Sequence, residues 1–181
     1  MLKHKRVVLF IGVVIGVLLI LTAEHVNYVT STDDFCSNSC HSMNKYIAND
    51  EVYVSSKHRT SDSGIMVSCA DCHIPKPLLL AMWVHVKGGV NDSISELRND
   101  FTNPAVWESL KPQLAKQVRE QMLANDSRAC RNCHTMSKIA VSSLEGQRAH
   151  AQSFFNKETC IQCHYNLVHS PVEPHEGFAK K

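Results

Sequence analysis

The chain has 181 residues, 44% of them hydrophobic and 20% charged, with 19 basic against 17 acidic side chains. A formal net charge of +2 gives no electrostatic footprint for nucleic acid, and the length beyond the N-terminal segment argues against a second globular domain.

Val7 to Ala23 is an uncharged run of 17 residues, preceded by Lys3, Lys5 and Arg6 and followed by Glu24. As a helix it extends about 25 Å, enough for a hydrocarbon core of about 30 Å when the flanks snorkel. A cleaved signal peptide would have a shorter apolar region, and Leu21-Thr22-Ala23 lacks the small residue wanted three positions before cleavage. The expectation is a cytoplasmic tip and retained single-pass anchor over residues 1–23. Its basic residues mark the cytoplasmic side, which puts residues 24–181 outside the inner membrane.

Next comes Cys36-Ser-Asn-Ser-Cys40-His41, then three Cys-x-x-Cys-His motifs, at Cys69, Cys72 and His73, at Cys130, Cys133 and His134, and at Cys160, Cys163 and His164. Histidine is 11 of 181 residues, so chance would place one after all four second cysteines with a probability on the order of 10⁻⁵. A zinc ribbon or a set of disulfides would leave these histidines without a role. Covalent haem attachment uses them all: two thiols add across the vinyl groups while the adjoining imidazole reaches the iron. All eight cysteines are consumed by four c-type haems, an extracytoplasmic modification in bacteria that agrees with the anchor's orientation. Haems at this density leave little room for an independent hydrophobic core, so the expected fold is mostly α with little regular structure.

The motifs are also spaced as a repeat. His41 to His58 is 17 residues and His58 to Cys69 is 11; His134 to His150 is 16 and His150 to Cys160 is 10. Two tandem dihaem modules are expected, at about 31–100 and 127–171, joined by a helical connector at about 103–126. Between them, Leu78 to Val86 predicts a short helix opened by Pro75 and Pro77 and closed by Gly88-Gly89. It either covers a haem face or lies on lipid beside the anchor, with Trp83 at headgroup depth. Asn103-Pro104 starts the connector helix, in which Leu114, Val118 and Met122 recur every four residues and Pro112 kinks or restarts the chain.

Each iron has two axial positions, and the motif histidines fill one apiece. His58 and His150 have the repeat behind them as distal ligands, and His169 follows its motif closely enough to fold over a neighbouring haem. Bis-histidine ligation gives low-potential haems suited to electron transfer. The first haem lacks an obvious partner; Met43 is a thioether alternative to His41 there, or a buried gap-filler. An incompletely ligated haem beside the bilayer suits a lipid-soluble donor, a quinol.

Taken together, the anchor, Ser31-Thr-Asp-Asp-Phe-Cys36, Cys40-His-Ser-Met43, Val67-Ser-Cys-Ala-Asp-Cys-His-Ile-Pro75, Asn125-Asp-Ser-Arg-Ala-Cys-Arg-Asn-Cys-His134 and Thr159-Cys-Ile-Gln-Cys-His164 with His169 resemble the NapC/NirT family of membrane-anchored multihaem quinol dehydrogenases. The likeness covers nearly the whole chain. It implies that Met43 or His41 serves the first haem and that His58, His150 and His169 serve others. It further implies a quinol pocket beside the first haem with an acid at Asp92 and a basic residue about seven positions earlier, where this chain has His85, with Lys87 next along the helix. Three residues between Cys36 and Cys40, where the family ordinarily has two, bear on the first haem's tilt and potential.

The function expected is oxidation of menaquinol or ubiquinol and delivery of electrons to a periplasmic terminal reductase or soluble carrier in anaerobic respiration. Protons would go to Asp92. Two rivals are a multihaem reductase acting on nitrite or hydroxylamine at an open haem, and a passive tether whose haems serve as structure. Related small subunits associate with their reductases, so a complex with the reductase or a homo-oligomer is also expected.

Overall fold

A computed structural model describes residues 2–178. Met1 and residues 179–181, which belong to the two ends of the expected domain scheme, lie outside the described residues. Helix α1 (Leu2–Thr30) is followed by the short α2 (Asp33–Asn38), α3 (His41–Met43) running into a π-helical turn at Asn44–Ala48, α4 (Glu51–Ser55) and α5 (Cys69–His73). Two long helices, α6 (Leu78–Arg98) and α7 (Pro104–Ala124), precede α8 (Arg128–Arg131) and α9 (Leu144–Asn156), with 3₁₀ turns at Met136–Lys138 and Cys160–Gln162. No strand occurs among the described residues.

The expected apolar run lies inside α1, which is the one described helix long and apolar enough to cross a membrane; its best stretch has a mean hydropathy of 2.7. The helix continues past Ala23 because no breaker intervenes before Ser31. Thr32 then caps α2, accepting from Phe35 N at 3.2 Å.

The helix expected to close at Gly88-Gly89 instead runs on to Arg98. Two interior glycines disfavour a helix by about 2 kcal/mol relative to alanine, too little to end one flanked by helix-compatible sequence on both sides. Likewise α7 opens as expected, with Asn103 accepting from Ala105 N at 3.0 Å and Pro104 in its first turn, but it passes through Pro112 without restarting. Its inward side is carried by Trp107 and Arg119, both buried, while Leu114 of the expected apolar stripe is exposed.

Six hydrophobic residues form the buried set among the described residues: Tyr53, Ala81, Phe101, Trp107, Ile161 and Phe178. So small a core agrees with packing organised around prosthetic groups. Two aromatic clusters brace it. Tyr46 stacks on Trp107 at 5.0 Å, with Phe101 edge-on at 6.5 Å, and the Tyr46 hydroxyl donates to Phe101 O. Arg119 lies over the Tyr165 and Phe178 rings and donates to Asn166 Oδ1, Val172 O and Glu173 O, tying α7 to the segment after the last motif.

Candidate functional site

Three of the four cysteine motifs fold as single tight turns. Cys69–His73 is one helical turn held by a reciprocal cap: Asp71 N donates to Ser68 Oγ and Ser68 N donates to Asp71 Oδ2. Thr159 and Gln162 repeat that device around Cys160–Gln162. In the last two motifs the histidine N–H donates to the carbonyl of the first cysteine, His134 to Cys130 at 2.8 Å and His164 to Cys160 at 2.9 Å. A turn closed this way brings both thiols onto one side.

The first motif is built differently, and the inserted residue is the reason. Cys36 sits within α2, the helix ends at Asn38, and Cys40 is extended (φ −129, ψ 142) before α3 begins at His41. Its two thiols therefore come from separate elements. None of the eight cysteines is paired in a disulfide.

Neighbouring motifs are tied by side chains that sequence reading did not single out. Asp33, in the first turn of α2, accepts from Cys69 N at 2.8 Å and from Arg59 at 2.6 Å. Burial opposes ionisation of Asp33, but these donors hold its carboxyl below the usual range. Tyr53 Oη lies 3.3 Å from Cys69 Sγ, which places this buried ring beside the second motif. Ser127 does for the later motifs what Asp33 does for the earlier ones: fully buried, its hydroxyl accepts from Ile161 N at 3.0 Å and bonds Thr159 Oγ1. Asp126 and Ser127 both have positive φ (56° and 48°), a strained corner of about 1–3 kcal/mol per residue held by Arg131 on Asp126. With α2 against α5 and α5 against α8, the four motifs follow one another in space as in sequence.

The free histidines join the motif histidines in pairs. Ring centroids are 6.1 Å apart for His58 and His134, 6.2 Å for His73 and His169, and 6.0 Å for His150 and His164. Metal–imidazole bonds of about 2 Å put the centroids of two opposed imidazoles about 6 Å apart, so each gap accepts one iron. His150 Nδ1 lies 2.8 Å from Gly146 O, a contact that leaves Nε2 for a metal. His169 stacks on Tyr53 at 5.5 Å, and Asp50 accepts from both Ser170 N and Ser170 Oγ. Desolvation lowers His58 and His169 below the ordinary histidine range and so favours the neutral, ligating form. Among the described residues no three Cys, His, Asp or Glu side chains converge to cage a bare ion; the pairs fit a planar haem instead.

His41 and Met43 join none of these pairs. His41 is exposed and Met43 half-buried, and between them the buried Ser42 gives its N–H (3.1 Å) and its hydroxyl to Glu96 Oε1 on α6. Asp92 lies one turn before Glu96, and both carboxylates act on the Cys40 thiol, which burial first of all raises. Asp92 itself is raised, by desolvation and then by the charge of Glu96. Two turns earlier on that side, His85 has both ring nitrogens buried without a partner. Lys87 is exposed and diverges from this row. Sequence reading missed Glu96, whose only signal was its position four residues after Asp92.

Among known proteins, the chain is 32% identical to the cytochrome c-type protein TorY of Haemophilus influenzae over 97% of its own length and 47% of the relative's. It is 32% identical to a putative tetraheme cytochrome-c type protein of Allochromatium vinosum, over 93% of this chain and 89% of that one. It is also 28% identical to the cytochrome c-type protein NapC of Escherichia coli, over 82% and 74%. The chain thus spans about half the length of the TorY relatives it matches. No solved structure matches it. The model of the NapC/NirT cytochrome c family, N-terminal region, covers residues 2–174, and the chain therefore belongs to the NapC/NirT cytochrome c family, whose haem c is covalently bound.

Proposed function

We propose that this chain takes electrons from a membrane quinol, menaquinol or ubiquinol, and relays them through four haem c groups to a periplasmic terminal reductase or soluble carrier. The observation that carries this reading is the attachment of the first motif to α6. Ser42 is bound by Glu96, and α6 packs in turn on the apolar helix α1. The motif without a paired histidine is thereby held next to the element that enters lipid.

Cys36 and Cys40, Cys69 and Cys72, Cys130 and Cys133, and Cys160 and Cys163 would hold the four groups. His73 with His169, His134 with His58 and His164 with His150 would clamp three of them, while His41 or Met43 serves the first. Covalently bound haem supplies reversible one-electron transfer at each motif. The remaining work is the protein's. Asp92, with its proton affinity raised, accepts a proton released by the quinol. His85 sits two turns along the same helix side as a second acceptor, and Lys87 offers positive charge at the surface. Asp33 and Ser127 fix successive motifs to one another and so fix their spacing.

The test is stopped-flow mixing of the purified, haem-loaded chain with a quinol analogue. Reduction seen as a rising α band is expected, followed by reoxidation only when a partner acceptor is added. An unchanged spectrum would leave the passive tether as the better account. Reoxidation by nitrite alone would favour a reductase.

A further inference from the structure

Helix α6 has its amphipathicity inverted. The side turned toward the rest of the chain carries Ala81, His85, Gly88, Ser95, Glu96 and Asn99, all buried or half-buried. The opposite side carries Leu79, Trp83, Val86, Val90, Ile94 and Leu97, exposed from 40% at Ile94 to 82% at Leu79 and 87% at Leu97. These positions follow steps of four and three, one continuous stripe about 27 Å long on a helix. In water the arrangement is unfavourable, because a surface helix hides its apolar stripe and solvates its polar one. It becomes favourable where the surroundings are themselves apolar.

We propose that this stripe lies on the outer surface of the same bilayer that α1 crosses, making α6 a second membrane contact. The proposal rests on reading α1 as the anchor. Three features single out lipid rather than another protein as the occupant. First, α6 packs against α1, and the half-buried positions of α1, Gly16, Ala23, Asn27 and Thr30, share one helical side, so the α6 stripe continues a surface already destined for lipid. Second, Trp83 lies within the stripe, an amphipathic ring suited to headgroup depth. Third, Lys87 beside the stripe and Arg98 at its end are both exposed cations, placed to snorkel toward lipid phosphates. The seated helix would turn His85, Asp92 and Glu96 away from the lipid, toward the first motif.

The full haem-loaded chain, reconstituted in phosphatidylethanolamine–phosphatidylglycerol vesicles, tests this. The photoreactive residue p-benzoylphenylalanine is placed singly at Leu79, Val90 or Leu97, at Leu18 in α1, or at Leu144, which opens α9 and is also exposed. After irradiation, a mass shift of one phospholipid is expected at the three α6 positions and at Leu18, and none at Leu144. Lipid adducts at Leu18 alone overturn the proposal and leave the anchor standing. Adducts joining α6 to a second copy of the chain overturn it in favour of a dimer interface. Absence of lipid even at Leu18 removes the anchor reading and the proposal together.

Discussion

At the scale of single residues, Asp92 is the group whose removal is most telling. Desolvation and the neighbouring Glu96 raise its pKa, so its proton affinity exceeds that of an ordinary aspartate. Asp92→Asn should slow quinol-driven reduction by at least about tenfold, at the lower edge of what a positioned base contributes, while the dithionite-reduced spectrum stays unchanged. In the proposed acceptor role Asp92 would work only when ionised, so the wild-type rate should rise as pH climbs through its elevated pKa. The Asn variant should lack that rise, and stopped-flow traces across the acidic range would reveal it. The proposed distal ligands predict a different signature. His58→Ala, His150→Ala and His169→Ala should each convert one low-spin haem to high-spin by electron paramagnetic resonance, with haem content intact. The cysteines and their adjoining histidines were legible in the sequence because covalent attachment confines them to six contiguous positions or fewer. The partners of His58 and His169 were not. His58 meets His134 and His169 meets His73, across chain separations that no local pattern encodes.

Between elements, stability rests on a few polar ties rather than on a large apolar core. Ser127 is fully buried and bonds both Thr159 and Ile161. Ser127→Ala should therefore cost about 1–3 kcal/mol, since it leaves a buried N–H without its acceptor; thermal melts followed at a haem band would measure it. Donation from Cys69 N and Arg59 outweighs burial and holds the folded pKa of Asp33 below the ordinary aspartate value it has when unfolded. Its contribution is present above that unfolded value and is lost as pH falls through the lower folded one. Asp33→Asn should thus be less stable than wild type at neutral pH, and the difference should shrink in acid, which urea melts at several pH values would show. Neither tie could be read beforehand, because Asp33 and Ser127 resemble ordinary helix-start residues until the next motif folds against them. The early stop assigned to α6 failed for a related reason: Gly88-Gly89 is a local break signal, overruled by the helix-compatible sequence after it and by contact with α1.

Across the whole molecule the elements are joined mainly by polar ties, and the first motif differs in build from the rest. That motif is split between two elements, joins no histidine pair, and is fixed to α6 through Ser42 and Glu96. The later three are single turns with paired histidines, and Asp33 and Ser127 tie neighbouring motifs together. If electrons enter at the first motif, removing it should disconnect quinol from a wire that is otherwise intact. The double variant Cys36→Ser with Cys40→Ser should then carry three haems by intact mass and keep its bis-histidine low-spin signals. It should still be fully reduced by dithionite, yet its quinol-driven reduction should fall by about a hundredfold or more, since a donor held in lipid no longer has a properly placed acceptor beside it. Wild-type quinol kinetics in a three-haem product would put electron intake at one of the paired sites and detach Asp92, Glu96 and α6 from the reaction.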